Sequence, residues 1–386
     1  MNRSILSDPA FNQIQAGYVN IATSGTGVNT GLVYGENYLV SFFGRLNYNF
    51  DQKYILTATI RRDGYSAFGP NKKYGYFPGF GAAWEITREK FWSNIGADKI
   101  FSSFKFKGSY AKVGNASGIG DYASNTTYGS SLYNAAASLA PNATGNVNLS
   151  WETSKKTDFG FDFGILKDRI SGEVAYYKNN IDGLIFSVPT APSAGLVSNP
   201  LVNIGSMYNT GLEVSFNADV IRTGSFSWTS NFNISFNKNK VTSLFAGLQS
   251  FTQATSSLEI ANITKVSGSL GDLYIVKSAG INPANGRRIF INGKGQQVEY
   301  TYPGTQRWFY TADGTPAPAI NQTADAVDYG RATPKEYGGF SNTFRYKNFD
   351  LSTLFTYQLG FNLYYGTQAT LTDQRFWNNS TVILDH

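Results

Sequence analysis

The stretch from Val40 to Ile86, VSFFGRLNYNFDQKYILTATIRRDGYSAFGPNKKYGYFPGFGAAWEI, runs through three alternating segments separated by one very short turn and one longer one. In the first segment Phe42, Gly44, Leu46, Tyr48 and Phe50 share one parity, and Arg45, Asn47 and Asn49 take the other. Successive side chains of a strand point to opposite faces, so this pattern requires one greasy and one wet face. In the third segment Tyr74, Tyr76, Phe80, Ala82, Trp84 and Ile86 are bulky or apolar, whereas Gly75, Gly79, Gly81, Ala83 and Glu85 are small or polar. One face meets something apolar, and the other does not.

The rest of the chain repeats this grammar. Strands are expected at about Leu39–Phe50 and Lys53–Asp63, joined at Asp51-Gln52, and then, after the connection Gly64–Lys72, up to about Thr87. A fourth covers about Ser102–Val113; a fifth, Trp151–Ile165, turns at Lys167-Asp168 into a sixth with Ile170, Val174 and Tyr176 on one face. Leu212 to Val220 and Phe226 to Asn237 form a seventh and eighth around the turn Arg222–Ser225, and a last hairpin from Glu336 to Tyr357 turns at Lys347-Asn348. Short turns follow the first, fifth, seventh and ninth strands. The segment REKFWSNIGADKI after the third is of medium length with a short helical turn, and the remaining connections are longer. Tight turns at one end and long loops at the other are the signature of an outer-membrane barrel, and ten or more residues per strand, at about 3.3 Å each and tilted about 45°, give roughly 25 Å of height. The expected fold is therefore all-β, an antiparallel transmembrane β-barrel segment of about ten strands. Residues 1–38 read as a loop, 39–240 as eight strands, 241–335 as a long extracellular loop region with some structure of its own, 336–363 as a strand hairpin and 364–386 as the start of the next loop.

Composition removes the main alternatives. Charged residues make up only 15% and aromatics 16%, against about 25% charge in an average soluble domain. There is no Cys, and the one His is His386, so thiol catalysis, a Ser-His-Asp triad and His-rich metal centres lack their side chains. No enzyme activity, cofactor or metal is expected. The net charge of +6 is spread along the chain rather than gathered in a patch, which does not point to nucleic acid. No apolar run is long enough for a transmembrane helix.

Asp158, Asp162, Glu173, Glu213 and Asp219 lie on the polar parity, with Glu85, and are expected to face a wet lumen rather than to form a glycosidase pair. Arg61, Arg62 and Asp63 close the second strand at the long-loop end, and Lys72 and Lys73 lie across the same connection; these are candidate outer-rim contacts or a salt-bridged turn. Within GSLGDLYIVKSAG, Asp272 and Tyr274 are candidate loop contacts with a substrate or partner. GNASGIG at Gly114 to Gly120 opens a polar loop rather than a helix and fails as a nucleotide loop, and Asn282-Pro-Ala-Asn-Gly reads as a turn rather than a calcium loop. Tyr74, Tyr76, Trp84, Trp151, Tyr176, Tyr177 and Trp228 fall near strand ends, as an interfacial aromatic girdle would.

Several segments resemble the SusC/RagA-type TonB-dependent transporters of Bacteroidetes outer membranes. These are FFGRLNYNFDQKYILTATIRRDGYSAFGPNKKYGYFP, FKFKGSYAKVGN with IGDY, LSWETSKKTDFGFDFGILKDRISGEVAYYKN, NIGSMYNTGLEVSFNADV and GGFSNTFRYKNFDLSTLFTYQLG. The resemblance covers about Val40 to Gly360. It implies a barrel of about 22 strands closed by an N-terminal plug, set in outer-membrane lipid, with a SusD-like lipoprotein over its outer mouth. It also implies TonB-driven uptake of a glycan or peptide substrate at the cell outer membrane. On this reading the chain is an internal part of the barrel, with signal peptide, plug and closing strands outside it. The alternatives are a passive porin or surface adhesin built on a barrel, and a soluble all-β carbohydrate-binding protein.

Overall fold

Alternation becomes pairing in the computed structural model, which describes residues 2–4, 33–133, 136–188, 193, 195–196, 198–254 and 260–371. The chain divides into two compact units, Met1–Tyr208 and Asn209–His386. In the first, six long strands follow one another as an antiparallel meander: β1 (Leu39–Phe50), β2 (Tyr54–Tyr65), β3 (Tyr74–Glu85), β4 (Phe101–Asn115), β5 (Glu152–Ile165) and β6 (Ile170–Asp182). In the second, β7 (Ser206–Arg222), β8 (Phe226–Ser243), β9 (Glu336–Tyr346) and β10 (Phe349–Leu359) do the same. These ten strands are the ten the alternation predicts.

The tight turns are tight because non-glycine residues accept left-handed backbone. Asp51 and Gln52 have φ of 52° and 53°, and Lys53 N–H closes the turn on Phe50 O at 3.0 Å. Two consecutive left-handed residues are the hairpin geometry whose twist matches that of the flanking strands. Leu166, Lys167 and Asp168 are left-handed in the turn between β5 and β6, one residue longer than the expected Lys167-Asp168 pair, and the hydroxyl of Ser102 holds it by accepting from Asp168 N–H at 2.9 Å.

Register converts parity into rows. Tyr54 stands opposite Trp84, Trp84 opposite Phe106, and Phe106 opposite Phe161. This apolar face is open: Leu46 is 68% exposed, Phe80 59% and Phe159 61%. A soluble sandwich buries the apolar face of its strands, and an exposed apolar surface of this extent marks a membrane or protein contact. No helix among the described residues is long and apolar enough to cross a membrane, and crossing by strands needs none.

The structure corrects three local expectations. Residues 2–4 and 33–35, read as loop, form a two-stranded antiparallel pair; the rest of the 1–32 segment lies outside the described residues. The polar stretch before Ser150 contains the antiparallel strands Thr127–Tyr133 and Ala136–Ala143. Gly366–Leu371 is a short helix, and the expected loop beyond it lies outside the described residues.

Candidate functional site

The polar face of the first unit carries one continuous charged row. Glu85 on β3 stands opposite Lys105 on β4, Lys105 opposite Asp162 on β5, and Asp162 opposite Glu173 on β6. Lys105 Nζ pairs with Asp162 at 2.9 Å, and Lys107 Nζ bridges Asp162 and Glu173 at 2.6 Å each. Lys107 can lean into that row because its own row holds only Ala83, Gly160 and Ala175 beside it. One row further toward the long loops, Asp158 accepts from the Ser109 hydroxyl at 3.2 Å. Glu85 accepts from the Thr87 hydroxyl. In the second unit Asp219 pairs with Arg222 at 3.5 Å near a tight turn, and Glu213 is exposed on β7. The face is thus ionic and floored by small residues, with Lys105 and Lys107 paired to Asp162 and Glu173 while Glu85 and Asp158 take hydroxyl donors. Half-exposed pairs of this kind contribute little to stability.

At the long-loop end the candidate rim residues separate by parity. Arg61 turns to the polar side, pairing with Asp63 at 3.1 Å and donating to the Ser41 hydroxyl at 3.4 Å. Arg62 turns to the apolar side, with its guanidinium 4.2 Å from the Tyr74 ring centroid. Lys72 is exposed, and Lys73 acts through its backbone, its carbonyl accepting from the Trp151 indole N–H at 2.9 Å.

Above these residues lies a small hydrophobic core that the alternation does not announce. Ala67, Phe68 and Leu149 are fully buried and Ile119 nearly so, with Tyr65, Trp151, Ile185 and Leu201 packed around them. Phe68 meets Tyr65 edge-on at 5.5 Å and Trp151 at 4.9 Å. Gly69 donates to Leu149 O at 3.0 Å, so close that a Cβ there would sit 1.7 Å from Val147 O. Phe77, on the small-residue parity of β3, is buried over Gly75 and Gly114 and touches Trp151 at 5.4 Å. Trp151 therefore belongs to this loop core, not to the expected girdle. Tyr177, opposite Asp158, lies on the polar face; Tyr176, opposite Phe159 and 48% exposed, lies on the apolar face at the middle of its strand rather than near an end, so neither sits where a girdle would.

In the second unit the long insertion folds as a sheet in the order Ser250–Ala254, Ile260–Lys265, Asp272–Ile281, Arg288–Ile291, Gln297–Thr301 and Arg307–Tyr310, with Ala326–Gly330 also paired to Asp272–Ile281. The NPANG segment is a turn, with Gly286 N–H bonded to Asn282 O at 2.8 Å. Glu299, 7% exposed, accepts from Asn282 at 2.6 Å, Asn285 at 3.0 Å and Arg287 at 3.3 Å. A polar cavity of about 320 Å³ opens beside it, lined in part by Arg287, Arg307, Tyr310 and Thr311.

With this geometry in place, the profile of the family described as TonB dependent receptor-like, beta-barrel matches residues 6–327. The chain belongs to the TonB-dependent receptor family. TonB-dependent receptor P39 of Formosa agariphila is 32% identical over 385 residues, which cover 92% of this chain and 35% of that protein. TonB-dependent receptor SusC of Bacteroides thetaiotaomicron is 30% identical over 352 residues, covering 86% of this chain and 32% of its own. The solved structure of the RagAB peptide transporter superposes with a TM-score of 0.69 at 27% identity, over 87% of this chain and 35% of that one. The chain spans about a third of the length of these relatives. The family is one of transporters and receptors rather than enzymes.

Two candidate contact residues of this receptor barrel have structural surroundings. Tyr274 donates its hydroxyl to Thr323 O at 2.8 Å. Asp272 is 4% exposed; it accepts from Ser269 N–H at 3.1 Å, and its other oxygen is buried without a hydrogen-bond partner. Burial pushes the Asp272 carboxyl above its ordinary value, and the nearby Asp328 charge adds to this, against the Ser269 N–H, Lys265 and Arg331. A carboxyl whose folded pKa is raised carries no penalty below its unfolded pKa and a growing one as pH rises through the folded value. Asp272→Asn removes the buried charge but leaves an amide group in the unpaired position, and is therefore expected to stabilise the insertion at pH 7.5 by no more than about 1 kcal/mol. The gain should shrink as pH falls through the carboxylate range. Thermal unfolding of parent and variant at pH 7.5 and 4.5 measures this.

Proposed function

We propose that this chain forms part of the barrel wall and outer loops of a cell outer-membrane importer that takes up oligosaccharide or peptide nutrients. Energy comes through TonB, acting on a plug that packs against the polar face, and a SusD-like lipoprotein covers the outer mouth. The observation that carries the reading is the two-faced wall: an open apolar face on one parity and the ordered charged row Glu85–Lys105–Asp162–Glu173 on the other. Such a sheet needs lipid on one side and a hydrated interior on the other. The likeness to SusC and to the RagAB peptide transporter supports uptake rather than a passive pore or an adhesin.

In this reading Glu85, Asp158, Asp162, Glu173, Glu213 and Asp219 line the lumen. Arg61, Arg62, Asp63, Lys72 and Lys73 belong to the outer rim, and the folded insertion within residues 241–335 is extracellular and meets the lipoprotein or the substrate. The cavity beside Glu299 is a polar concave surface of the size that takes one or two sugar rings or a short peptide turn. The test uses the full-length receptor with residues 250–330 replaced by a short Gly-Ser linker. Loss of lipoprotein co-purification or of nutrient-dependent growth, with outer-membrane insertion retained, is the expected result. Unchanged association and growth would remove the insertion from the functional site.

A further inference from the structure

The connection between β3 and β4, residues 86–100, is longer than the other links at its end of the sheet and folds back onto the apolar face. Two side chains, Glu89 and Trp92, set its orientation. Glu89 accepts from the Tyr54 hydroxyl at 2.7 Å and from the Trp84 indole at 3.2 Å, both residues of the apolar row, and Lys53 pairs with it at 3.6 Å. Trp92 in the short helix Lys90–Asn94 stacks on Phe104 at 5.6 Å and meets Phe101 edge-on at 5.9 Å. Trp92 is turned inward and Ile86 is buried, 7% exposed, whereas three apolar side chains of the connection stay open: Phe91, whose ring lies 6.4 Å from that of Trp84, is 45% exposed, Ile95 69% and Ile100 61%. Arg88, Lys90 and Lys99 of the same connection are exposed and have no carboxylate partner among the described residues.

We propose that residues 86–100 form an interfacial foot that binds anionic phospholipid on the short-turn side of the membrane, with Phe91 and Ile95 in the acyl region and Arg88, Lys90 and Lys99 at the phosphates. The inference rests on the membrane-wall reading above. The apolar side chains continue the lipid-facing surface of the strands, and the cations stand where that surface ends; apolar residues beside cations match a headgroup boundary and not open water. Phe91 in the helix and Ile95, the residue that caps its C-terminus and whose N–H bonds Phe91 O at 3.1 Å, lie one turn apart and present one face together. Free phosphate would satisfy the cations and leave the apolar residues in water, so the lipid is the occupant that matches both halves.

The test places nitroxide labels in the full-length receptor, freed of other cysteines, by Ile95→Cys, Leu46→Cys and Lys294→Cys, and compares collisions with oxygen and with a water-soluble nickel chelate in phosphatidylethanolamine–phosphatidylglycerol vesicles. The expected result is an Ile95 label as oxygen-accessible as that at Leu46 on the apolar wall and unlike that at Lys294 on an exposed turn. An Ile95 label as nickel-accessible as Lys294, with Leu46 in lipid, overturns the foot and leaves the wall reading standing. A nickel-accessible Leu46 overturns the wall itself. An Ile95 label shielded from both probes, reporting a protein neighbour, also overturns the foot. Headgroup preference is read by native mass spectrometry of phosphatidylglycerol against phosphatidylcholine retention. Arg88→Gln/Lys90→Gln/Lys99→Gln should cut the preference by up to about a hundredfold, since each cation near an anionic surface is worth roughly fivefold. An unchanged preference overturns the assignment of the cations.

Discussion

Phe68→Ala is expected to loosen the loop layer of the first unit by about 3–4 kcal/mol, the usual cost of emptying a fully buried aromatic site. The ring fills the centre of a cluster with few other large members, between Tyr65 and Trp151 and over the buried Leu149. Its neighbours cannot collapse into the space, because the loops are pinned by backbone bonds such as Gly69 N–H to Leu149 O. The strands below have their own ladders, so the loss should remain local. Hydrogen exchange of the full-length receptor is the measurement. Amides of Gly69, Asn125 and Leu149 should exchange on the order of a hundredfold faster, a factor of ten for each 1.4 kcal/mol, while those of β4 and β5 stay protected. Equal acceleration in both places would mean that the loop core and the wall unfold as one.

Glu299→Ala should destabilise the insertion of the second unit by about 2–4 kcal/mol, since it leaves several donors facing a buried site without an acceptor. Asn282, Asn285 and Arg287 all turn toward this one carboxylate, which fixes the NPANG turn against the strand Gln297–Thr301. The effect has a signature in pH. The hydrogen bond from Asn285, and then those from Asn282 and Arg287, hold the Glu299 carboxyl below its ordinary value against the opposing cost of desolvation. A group with a depressed folded pKa stabilises above its unfolded pKa and loses that contribution as pH falls through the folded one. Parent and variant should therefore differ most at neutral pH and converge in acid, the same window as for Asp272→Asn but with the opposite sign, a loss of stability rather than a gain. Thermolysin cleavage near the turn, followed against pH, reports the difference. Glu299→Gln keeps an acceptor and should fall between the two.

Both residues lie where the sequence carries no periodic signal. Phe68 and Leu149 are single apolar residues in polar loops, 81 positions apart by their numbers, and nothing local indicates that they meet. The LSW triplet before β5 was the available hint, since an apolar pair at the edge of a polar stretch needs a place to be buried. Glu299 sits in the short, weakly alternating segment QVEYT, and its role is visible only once the NPANG turn folds over it. Asp272, singled out from its loop sequence, is the buried first residue of the strand Asp272–Ile281, paired with Ile263 and bonded by Ser269 N–H.

The wall, by contrast, was legible residue by residue. A strand has a side-chain period of two, so Phe42, Leu46, Tyr48 and Phe50 declare their common face without reference to any other part of the chain. The turns declare themselves by length alone, and together these local rules fixed an all-β antiparallel membrane wall with tight turns at one end and long loops at the other. Register, which pairs Lys105 with Asp162 and stacks Trp92 on Phe104, depends on which strands lie side by side. The loop core and the Glu299 clasp depend on where distant loops come to rest. Periodicity is a property of a single strand and is written in it; burial and pairing are properties of two or more segments at once, and only the folded chain brings those together.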